Sequence, residues 1–188
     1  MGSKGGENMK SKSYLIIKPD GLTMKDKIFS ELSSDFKITH IIPIKDFCPL
    51  AKELYLDDDA RERGNEAIII GINTVWSNEY SKSAILIIVE AKDDIISQAD
   101  FVLQVCQFKK KFRKKHIPNA YIEFIIAPFE IDYKKFEAKV PNPELLKKRL
   151  NKEDDMYHLQ LNGLHCPDSI ESYYREINLI KKYLKSGA

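Results

Sequence analysis

Short apolar runs alternate with amphipathic segments along most of the chain, a pattern typical of a mixed fold of strands and helices. The runs SYLIIK at 13–18 and SAILIIVEA at 83–91 have the length and composition of buried strands. The run KITHIIPIKDF at 37–47 alternates more loosely and predicts a third strand, in which Pro43 indicates a sheet edge or a bulge. A further strand is expected in YIEFIIAPFEI at 121–131.

Helical periodicity and helix-start signals mark the segments between these runs. The predicted helices cover residues 25–36, 49–56, 57–67 with the apolar residues after them, 93–108, 139–150 and 168–177. The last helix is expected to begin at Asp168, with Glu171 reaching back to the cap. Its end is ambiguous, and residues 177–180 are compatible with a short fourth strand.

The order of these elements predicts an α+β fold. A strand, a helix, a strand, helices, a strand and a helix, followed by a late helix and a fourth strand, fit a ferredoxin-like βαββαβ antiparallel sheet with helices on one face. A length of 188 residues suits a single domain over residues 13–188. Residues 1–12, rich in Gly, Ser and Lys, predict a disordered leader.

Composition and charge exclude several classes of protein. Lys and Arg number 30 against 28 Asp and Glu, so the formal net charge of +2 gives no general argument for a nucleic-acid partner. No apolar run is long enough to cross a bilayer, and the first residues lack the apolar core of a secretory signal. The three widely spaced cysteines suit a reducing compartment better than a disulfide scaffold, so a cytoplasmic protein is expected.

Common phosphate-cradling and metal-binding motifs are absent from the chain. It has neither G-x-x-x-x-G-K-[ST] nor G-x-G-x-x-G, and it has no H-E-x-x-H pair. A metal site built from His158, His165 and Cys166 would have a spacing that matches no common zinc pattern. A Cys166 nucleophile with His165 as its base is geometrically poor, because adjacent side chains tend to point apart.

Three residues have a functional interpretation and an ordinary one. His165, in NGLHCPDSIESYYREI at 162–177, is by local composition most often a buried structural side chain. Lys18, at the end of the first strand, is more often a solvated cation than a catalytic one. Tyr55, on an amphipathic helix, is more often a core residue. The presence of all three in one chain favours the functional interpretation over the ordinary one.

Three motifs, taken in chain order, resemble those of the nucleoside diphosphate kinase family. They are YLIIKPDG at 14–21, KELYLDDDARER at 52–63 and the segment at 162–177. The last segment matches N-x-x-H-x-x-D-S-x-E-S-x-x-x-E-I. Neither this match nor IKPDG identifies the family alone, but the two together are specific for it. The resemblance covers residues 13–106 and 156–180.

The resemblance implies a kinase that moves a γ-phosphoryl group from a nucleoside triphosphate to a nucleoside diphosphate through a phosphohistidine, with Mg²⁺ held by the nucleotide phosphates and not by the protein. On the family's motifs, His165 is the nucleophile and Glu176 the carboxylate that orients it. Lys18 and Tyr55 contact the terminal phosphate, and Asn162 lies near the ribose hydroxyl and the lysine. A neutral imidazole is a competent nucleophile near pH 7, because its unperturbed pKa is about 6.5.

The sequence departs from the family's pattern around the histidine and after the tyrosine. Cys166 and Pro167 follow the histidine where the family has glycine and then serine. The phenylalanine that stacks on the base is absent, and Arg61 or Arg63 is the nearest planar side chain able to replace it. Base stacking is worth about 1–3 kcal/mol, so weaker nucleotide binding with little base preference is predicted.

The arginines and the middle of the chain also depart from the family. The family's phosphate-binding arginine in the helix after the third strand aligns with Asp100, so it is expected to be missing. An arginine found before the histidine aligns with Arg149. Residues 107–155 predict an insertion in place of a shorter loop that contributes subunit contacts in the family. A homo-oligomer other than the usual hexamer is therefore expected, with a dimer as the predicted state.

Two other function classes stay open. The missing contacts are compatible with a catalytically weak or inactive nucleotide-binding or protein-interaction module on the same fold. The basic run KKKFRKKH at 109–116 is compatible with nucleic-acid binding, although a solvated helix end explains it as well and such a partner is not favoured. The joint retention of the five family residues favours the enzyme, because a binding module has no evident need for a histidine with an orienting carboxylate.

Overall fold

The computed structural model describes the sheet and the helices around it. The described residues are 10–55, 76–77, 80–93, 96–117, 124–126, 157–159 and 161–186. Several predicted features lie outside these ranges, namely most of the leader, the helix at 57–67, the helix at 139–150 and most of the strand expected at 121–131.

A four-stranded antiparallel sheet forms the centre of the described structure. Its strands are β1 (Lys12–Ile17), β2 (Lys37–Ile44), β3 (Ala84–Glu90) and β6 (Leu164–His165), in the order β2-β3-β1-β6. Every neighbouring pair runs antiparallel, and the short β6 pairs with the end of β1 through Ile16 opposite His165. This order is that of a βαββαβ unit, and the predicted α+β class is confirmed.

Helices cover both faces of this sheet. They are α1 (Lys25–Asp35), α2 (Cys48–Tyr55), α3 (Gln98–His116) and α4 (Ile170–Lys185). Helices α1 and α3 pack with Leu15 and Ile17 of β1, whereas α2 and α4 pack with Tyr14 and Ile16. The prediction of helices on one face is wrong, because every residue of β1 after Lys12 is buried and neither side of the strand is left to water.

Helix α3 differs most from its prediction at 93–108. It begins after Ser97, whose Oγ accepts a hydrogen bond from the backbone N–H of Asp100 at 3.1 Å, and it continues to His116. The boundary predicted for the insertion, residue 107, therefore lies inside the helix. The basic run at 109–116 forms its last turns.

Helix α4 also differs from its prediction at both ends. Its N-cap is Ser169 and not Asp168, because the Ser169 Oγ accepts a hydrogen bond from the backbone N–H three residues further on. The helix continues to Lys185, so residues 177–180 are helical and the fourth strand is β6 instead.

The strands begin and end close to their predicted limits. Strand β1 includes Lys12, which was expected in the leader, because Lys12 pairs with Glu90 of β3. Pro43 lies in β2, an edge strand as predicted, but the irregular register is between Ile38 and His40.

A second, two-stranded sheet lies in the later part of the chain. Strand β4 (Phe124–Ile126) forms within the run expected to be a strand at 121–131. It pairs antiparallel with β5 (Tyr157–Leu159), which the sequence pattern did not indicate. Among the described helices, none is both long and apolar enough to cross a membrane.

Candidate active site

The turn after β1 is held against the segment that carries His165. The backbone N–H of Lys18 donates to the Gly163 carbonyl at 2.8 Å, and the Gly163 N–H donates to Asp20 Oδ2 at 2.7 Å. The other carboxylate oxygen of Asp20 accepts from Trp76 Nε1 at 2.8 Å. These bonds fix the KPDG turn and the LNGLH segment as one unit at the end of β1.

Two glycines permit this close approach. A Cβ on Gly21 would lie 2.3 Å from the Gly163 carbonyl oxygen, which no side chain allows without a backbone shift. Gly163 has a φ of 68°, in the left-handed region that favours glycine. The glycines of KPDG and NGLH are therefore needed for the contact between the two motifs.

His165 lies in β6 with its imidazole turned towards α4. Its Nε2 is 2.9 Å from Glu176 Oε2, and both side chains are buried. The Tyr14 hydroxyl donates to the same carboxylate oxygen, and Arg175 Nη2 donates to Oε1 at 3.1 Å. Glu176 thus accepts three hydrogen bonds, which offset the cost of burying its charge.

The electrostatics of this pair keep the imidazole neutral. Burial lowers the pKa of His165, and Lys109 and Lys18 lower it further, against the opposing effect of Glu176. Burial alone would raise the pKa of Glu176, but the hydrogen bonds from His165 and Tyr14 outweigh it and the pKa is lowered. A neutral imidazole that donates through Nε2 to a carboxylate carries its lone pair on Nδ1, so Nδ1 is the ring nitrogen that is able to act as a nucleophile.

The aromatic ring of Tyr55 packs against the imidazole of His165. It lies in the last turn of α2, and its ring meets that of His165 edge-on, with the centroids 5.1 Å apart at 85°. Burial raises the pKa of the Tyr55 hydroxyl, with Asp20 and Glu176 adding to the effect. The phenol therefore keeps its proton and can donate a hydrogen bond to an anion.

Lys18 presents a buried ammonium beside this group. It is 3 % exposed, and its Nζ lies 5.6 Å from the centroid of the Trp76 ring. Burial lowers the pKa of Lys18 to about 8, and Arg113 and Lys109 act in the same direction, against Asp20. Among the described residues, no carboxylate lies within ion-pair distance of Nζ, so this charge is available to a bound anion.

Asn162 is held by an arginine that the sequence did not indicate. Arg113 Nη2 donates to Asn162 Oδ1 at 2.6 Å and to the Leu164 carbonyl, and its Nε donates to the Asn162 carbonyl at 3.1 Å. Arg113 lies near the end of α3, the helix after the third sheet strand, but it does not align with the phosphate-binding arginine that was expected to be missing. Asp100, the aligned residue, lies 13 positions earlier, or about 20 Å along the helix.

Lys109 adds a second cation from the same face of α3. It precedes Arg113 by four residues, which is one helical turn, and its buried Nζ donates to the Cys166 carbonyl at 3.2 Å. Together Lys109 and Arg113 hold the carbonyls on both sides of His165. The run at 109–116 thus has a site-facing side, while Lys110, Lys111, Lys114 and Lys115 are exposed.

Not every predicted residue joins this group. His165, Glu176, Lys18, Tyr55 and Asn162 lie together, while Arg61, Arg63 and Arg149 lie outside the described residues. Cys166 points away from His165: its Sγ lies 3.8 Å from the Val105 carbonyl in the core, so the two side chains cannot form a nucleophile–base pair.

The charge of the site suits an anion such as a phosphate group. Within the ranges that the structure describes, no three His, Cys, Asp or Glu side chains are grouped to hold a metal. The buried Lys18 and Lys109 and the partly buried Arg113 would repel a cation and attract an anion.

Comparisons with known proteins find likeness only among solved structures. No family model matches the chain, and no curated protein matches it. A Borrelia burgdorferi nucleoside diphosphate kinase with bound vanadate and ADP, described as a transition state mimic, is 18% identical over 90% of this chain and 85% of that chain, with a TM-score of 0.49.

Two further kinases of that kind are similarly distant. The nucleoside diphosphate kinase of Aquifex aeolicus is 19% identical over 90% of this chain and 94% of its own, with a TM-score of 0.47. An NDP kinase from Pyrobaculum aerophilum is 14% identical over the same shares, with a TM-score of 0.43. At these values, any function for this chain has to rest on the site's own residues.

Proposed function

We propose that this protein transfers the γ-phosphoryl group of a magnesium–nucleoside triphosphate to a nucleoside diphosphate, through a phosphate held covalently on His165. The observation that carries the proposal is a buried, neutral imidazole, fixed through Nε2 by Glu176 beside the buried ammonium of Lys18. A histidine needed only for packing would not require a buried carboxylate and neighbouring cations. The five-residue resemblance to nucleoside diphosphate kinases supports the same reaction.

The first half-reaction forms a bond between His165 Nδ1 and the γ-phosphorus and breaks the bond from that phosphorus to the β,γ-bridging oxygen. The bond pair leaves on the bridging oxygen as the nucleoside diphosphate departs. The imidazole becomes cationic, and Glu176 stabilises that charge through the proton on Nε2. In the second half-reaction, a terminal oxygen of another diphosphate attacks the same phosphorus, and the electron pair returns to Nδ1.

The surrounding groups act by position and charge. Lys18 offsets the negative charge that develops on the transferred group, and Tyr55 donates its hydroxyl proton as a hydrogen bond. Arg113 holds Asn162 and adds positive charge to the pocket, which suits polyphosphate binding. Magnesium arrives on the substrate phosphates and neutralises part of their charge.

Two departures from the family's pattern favour the alternative, a binding module without turnover. One is the family's phosphate-binding arginine, which is replaced by Asp100; Arg113 lies 13 positions further along α3 and donates to Asn162, so it adds positive charge without taking that arginine's place. The other, the absent stacking phenylalanine, concerns residues outside the described ranges. It bears on affinity for the base rather than on the transfer step.

The proposal is tested by incubating the protein with γ-labelled MgATP. We expect labelled protein whose phosphate is acid-labile and base-stable, as a phosphohistidine is, and we expect a nucleoside diphosphate to remove the label as a nucleoside triphosphate. Absence of label, or label that no diphosphate can remove, would contradict transfer and leave the binding module as the better proposal.

The buried lysine predicts a pH dependence of phosphate binding. Because the pKa of Lys18 is about 8, its charge is present below pH 8 and is lost as the pH rises through that value. The affinity for magnesium-free ADP should fall about tenfold between pH 7 and pH 9, since binding selects the protonated lysine. Trp76, the only tryptophan in the chain, lies beside Lys18 and reports binding by fluorescence.

The matched variant for this measurement is Lys18→Met, which keeps the length of the side chain without its charge. We expect it to bind ADP weakly at every pH, with little change between pH 7 and pH 9. A wild-type affinity that stays constant over this range would show that Lys18 does not carry the charge that holds the phosphates.

A further inference from the structure

The hydroxyl of Tyr14 shares an acceptor with the imidazole of His165. Tyr14 lies in β1, is completely buried, and donates to Glu176 Oε2. The same oxygen lies 2.9 Å from His165 Nε2, and the Tyr14 and His165 rings have centroids 6.3 Å apart. One carboxylate oxygen thus joins a phenol and an imidazole.

Packing alone does not account for this hydroxyl. The ring of Tyr14 stacks on Tyr173 at 6.4 Å and belongs to the core cluster of the α2–α4 face, where a phenylalanine would fill the same space. A buried hydroxyl is costly unless it is hydrogen-bonded, and its partner here is the carboxylate that also holds His165. The backbone of Tyr14 is fixed in the centre of the sheet opposite Ile88.

We propose that Tyr14 is a positioning residue for His165, acting through Glu176. Its hydroxyl fixes the rotation of the carboxylate, so that Oε2 faces Nε2 and Nδ1 faces the substrate. It also takes up part of the negative charge on Oε2. Less of that charge then stabilises a protonated imidazole, and His165 stays neutral to lower pH. The catalytic part of this role rests on the proposed phosphohistidine function.

Tyr14 acts as a hydrogen-bond donor throughout the working pH range. Burial, followed by the negative charge of Glu176, raises the pKa of Tyr14 far above its ordinary value, so it does not exchange its proton with the pair. The other charged or titratable groups around the pair and Tyr14 are Lys18 after β1, Tyr55 of α2, Lys109 of α3, Cys166 after β6, and Tyr173 and Arg175 of α4. All of them are unchanged in a Tyr14 variant.

The test compares Tyr14→Phe with wild type by two measurements. In ¹⁵N NMR of the imidazole of His165, protonation of the His165–Glu176 pair should move to higher pH, because Glu176 has lost a donor and attracts the proton more strongly. The rate of phosphoenzyme formation from MgATP should fall about three- to tenfold at pH 6 and less at pH 8. The control is Tyr183→Phe. Tyr183 lies on α4, and the substitution removes the 2.6 Å hydrogen bond that its hydroxyl donates to the Asp46 carbonyl.

Two further variants test the route of the effect, and the second of them keeps the proposal testable if the phenylalanine disturbs the fold. In a Glu176→Gln background, Tyr14→Phe should change the His165 titration no further, because the effect passes through the carboxylate. Site-specific 3-fluorotyrosine at position 14, a stronger donor of similar size, should move the titration to lower pH. Opposite shifts from the weaker and the stronger donor support the proposal.

The proposal is overturned if neither Tyr14 variant moves the His165 titration, or if Tyr183→Phe moves it equally. It is also overturned if the Glu176→Gln background leaves the effect of Tyr14→Phe undiminished. The NMR readout does not require turnover. If wild type forms no phosphohistidine, the proposed function fails, while the coupling of Tyr14 to His165 is still decided by the titration.

Discussion

Replacement of His165 by asparagine is expected to abolish phosphoenzyme formation and to lower the rate of phosphoryl transfer at least about 10³-fold. The amide nitrogen of asparagine is not nucleophilic, because its lone pair is delocalised into the carbonyl. The side chain is otherwise close in size to the imidazole and can still bond to Glu176, so the thermal unfolding midpoint should change little. Both quantities are measured on the same preparation, by label uptake and by thermal denaturation.

The chain supplies a matched control for this variant. His116 is a second partly buried histidine whose Nε2 lies 2.6 Å from a glutamate oxygen, Glu31 Oε1. That pair joins α1 to the last turn of α3. His116→Asn should take up label as wild type does. Label retained in His165→Asn, or lost in His116→Asn, would move the nucleophile away from His165.

Replacement of Glu176 by alanine is expected to slow transfer about 10²-fold while leaving some phosphoenzyme detectable. The carboxylate selects the tautomer with the lone pair on Nδ1 and offsets the charge of the phosphorylated imidazole. Without it, the imidazole can rotate and either nitrogen can carry the proton. Single-turnover rates with MgATP measure the loss directly.

Two companion variants separate charge from geometry. Glu176→Gln keeps an acceptor oxygen of the same reach without the negative charge, so it should lie between wild type and alanine. Glu171→Ala removes an exposed glutamate from the first turn of the same helix and should transfer phosphate at the wild-type rate. If Glu176→Ala transfers phosphate as fast as wild type does, the carboxylate does not orient the nucleophile.

The residues of the candidate site could be found from sequence where they belong to short motifs. Lys18, Tyr55, Asn162, His165 and Glu176 were identified in that way, and the structure brings all five together. Arg113 and Lys109 were missed because they lie in a basic run whose pattern also suits a solvated helix end. Their spacing of one turn on a helix was the available signal. That spacing places Lys109 and Arg113 on one face only if α3 extends to His116, which the structure shows.

Tyr14 shows a different limit of sequence reasoning. In SYLIIK it is one of several buried positions, and its aromatic ring fits a strand in the core. Nothing local distinguishes it from a phenylalanine. Its partner, Glu176, lies 162 residues away in the chain, so the hydrogen bond exists only after β1 and α4 have packed together.

The sequence alone determined the α+β class, the three main strands of the sheet and the motif residues of the site, because hydrophobic period and short-range spacing are local properties. The tertiary structure decided which helices cover which face, where α3 and α4 begin and end, and which strand closes the sheet. It also decided which cations face His165. These outcomes depend on burial and capping between distant segments. The pairing of β6 with β1, the Gly21–Gly163 contact and the Tyr14–Glu176 hydrogen bond all join residues more than 140 positions apart. Their free energy comes from groups that meet only in the folded chain.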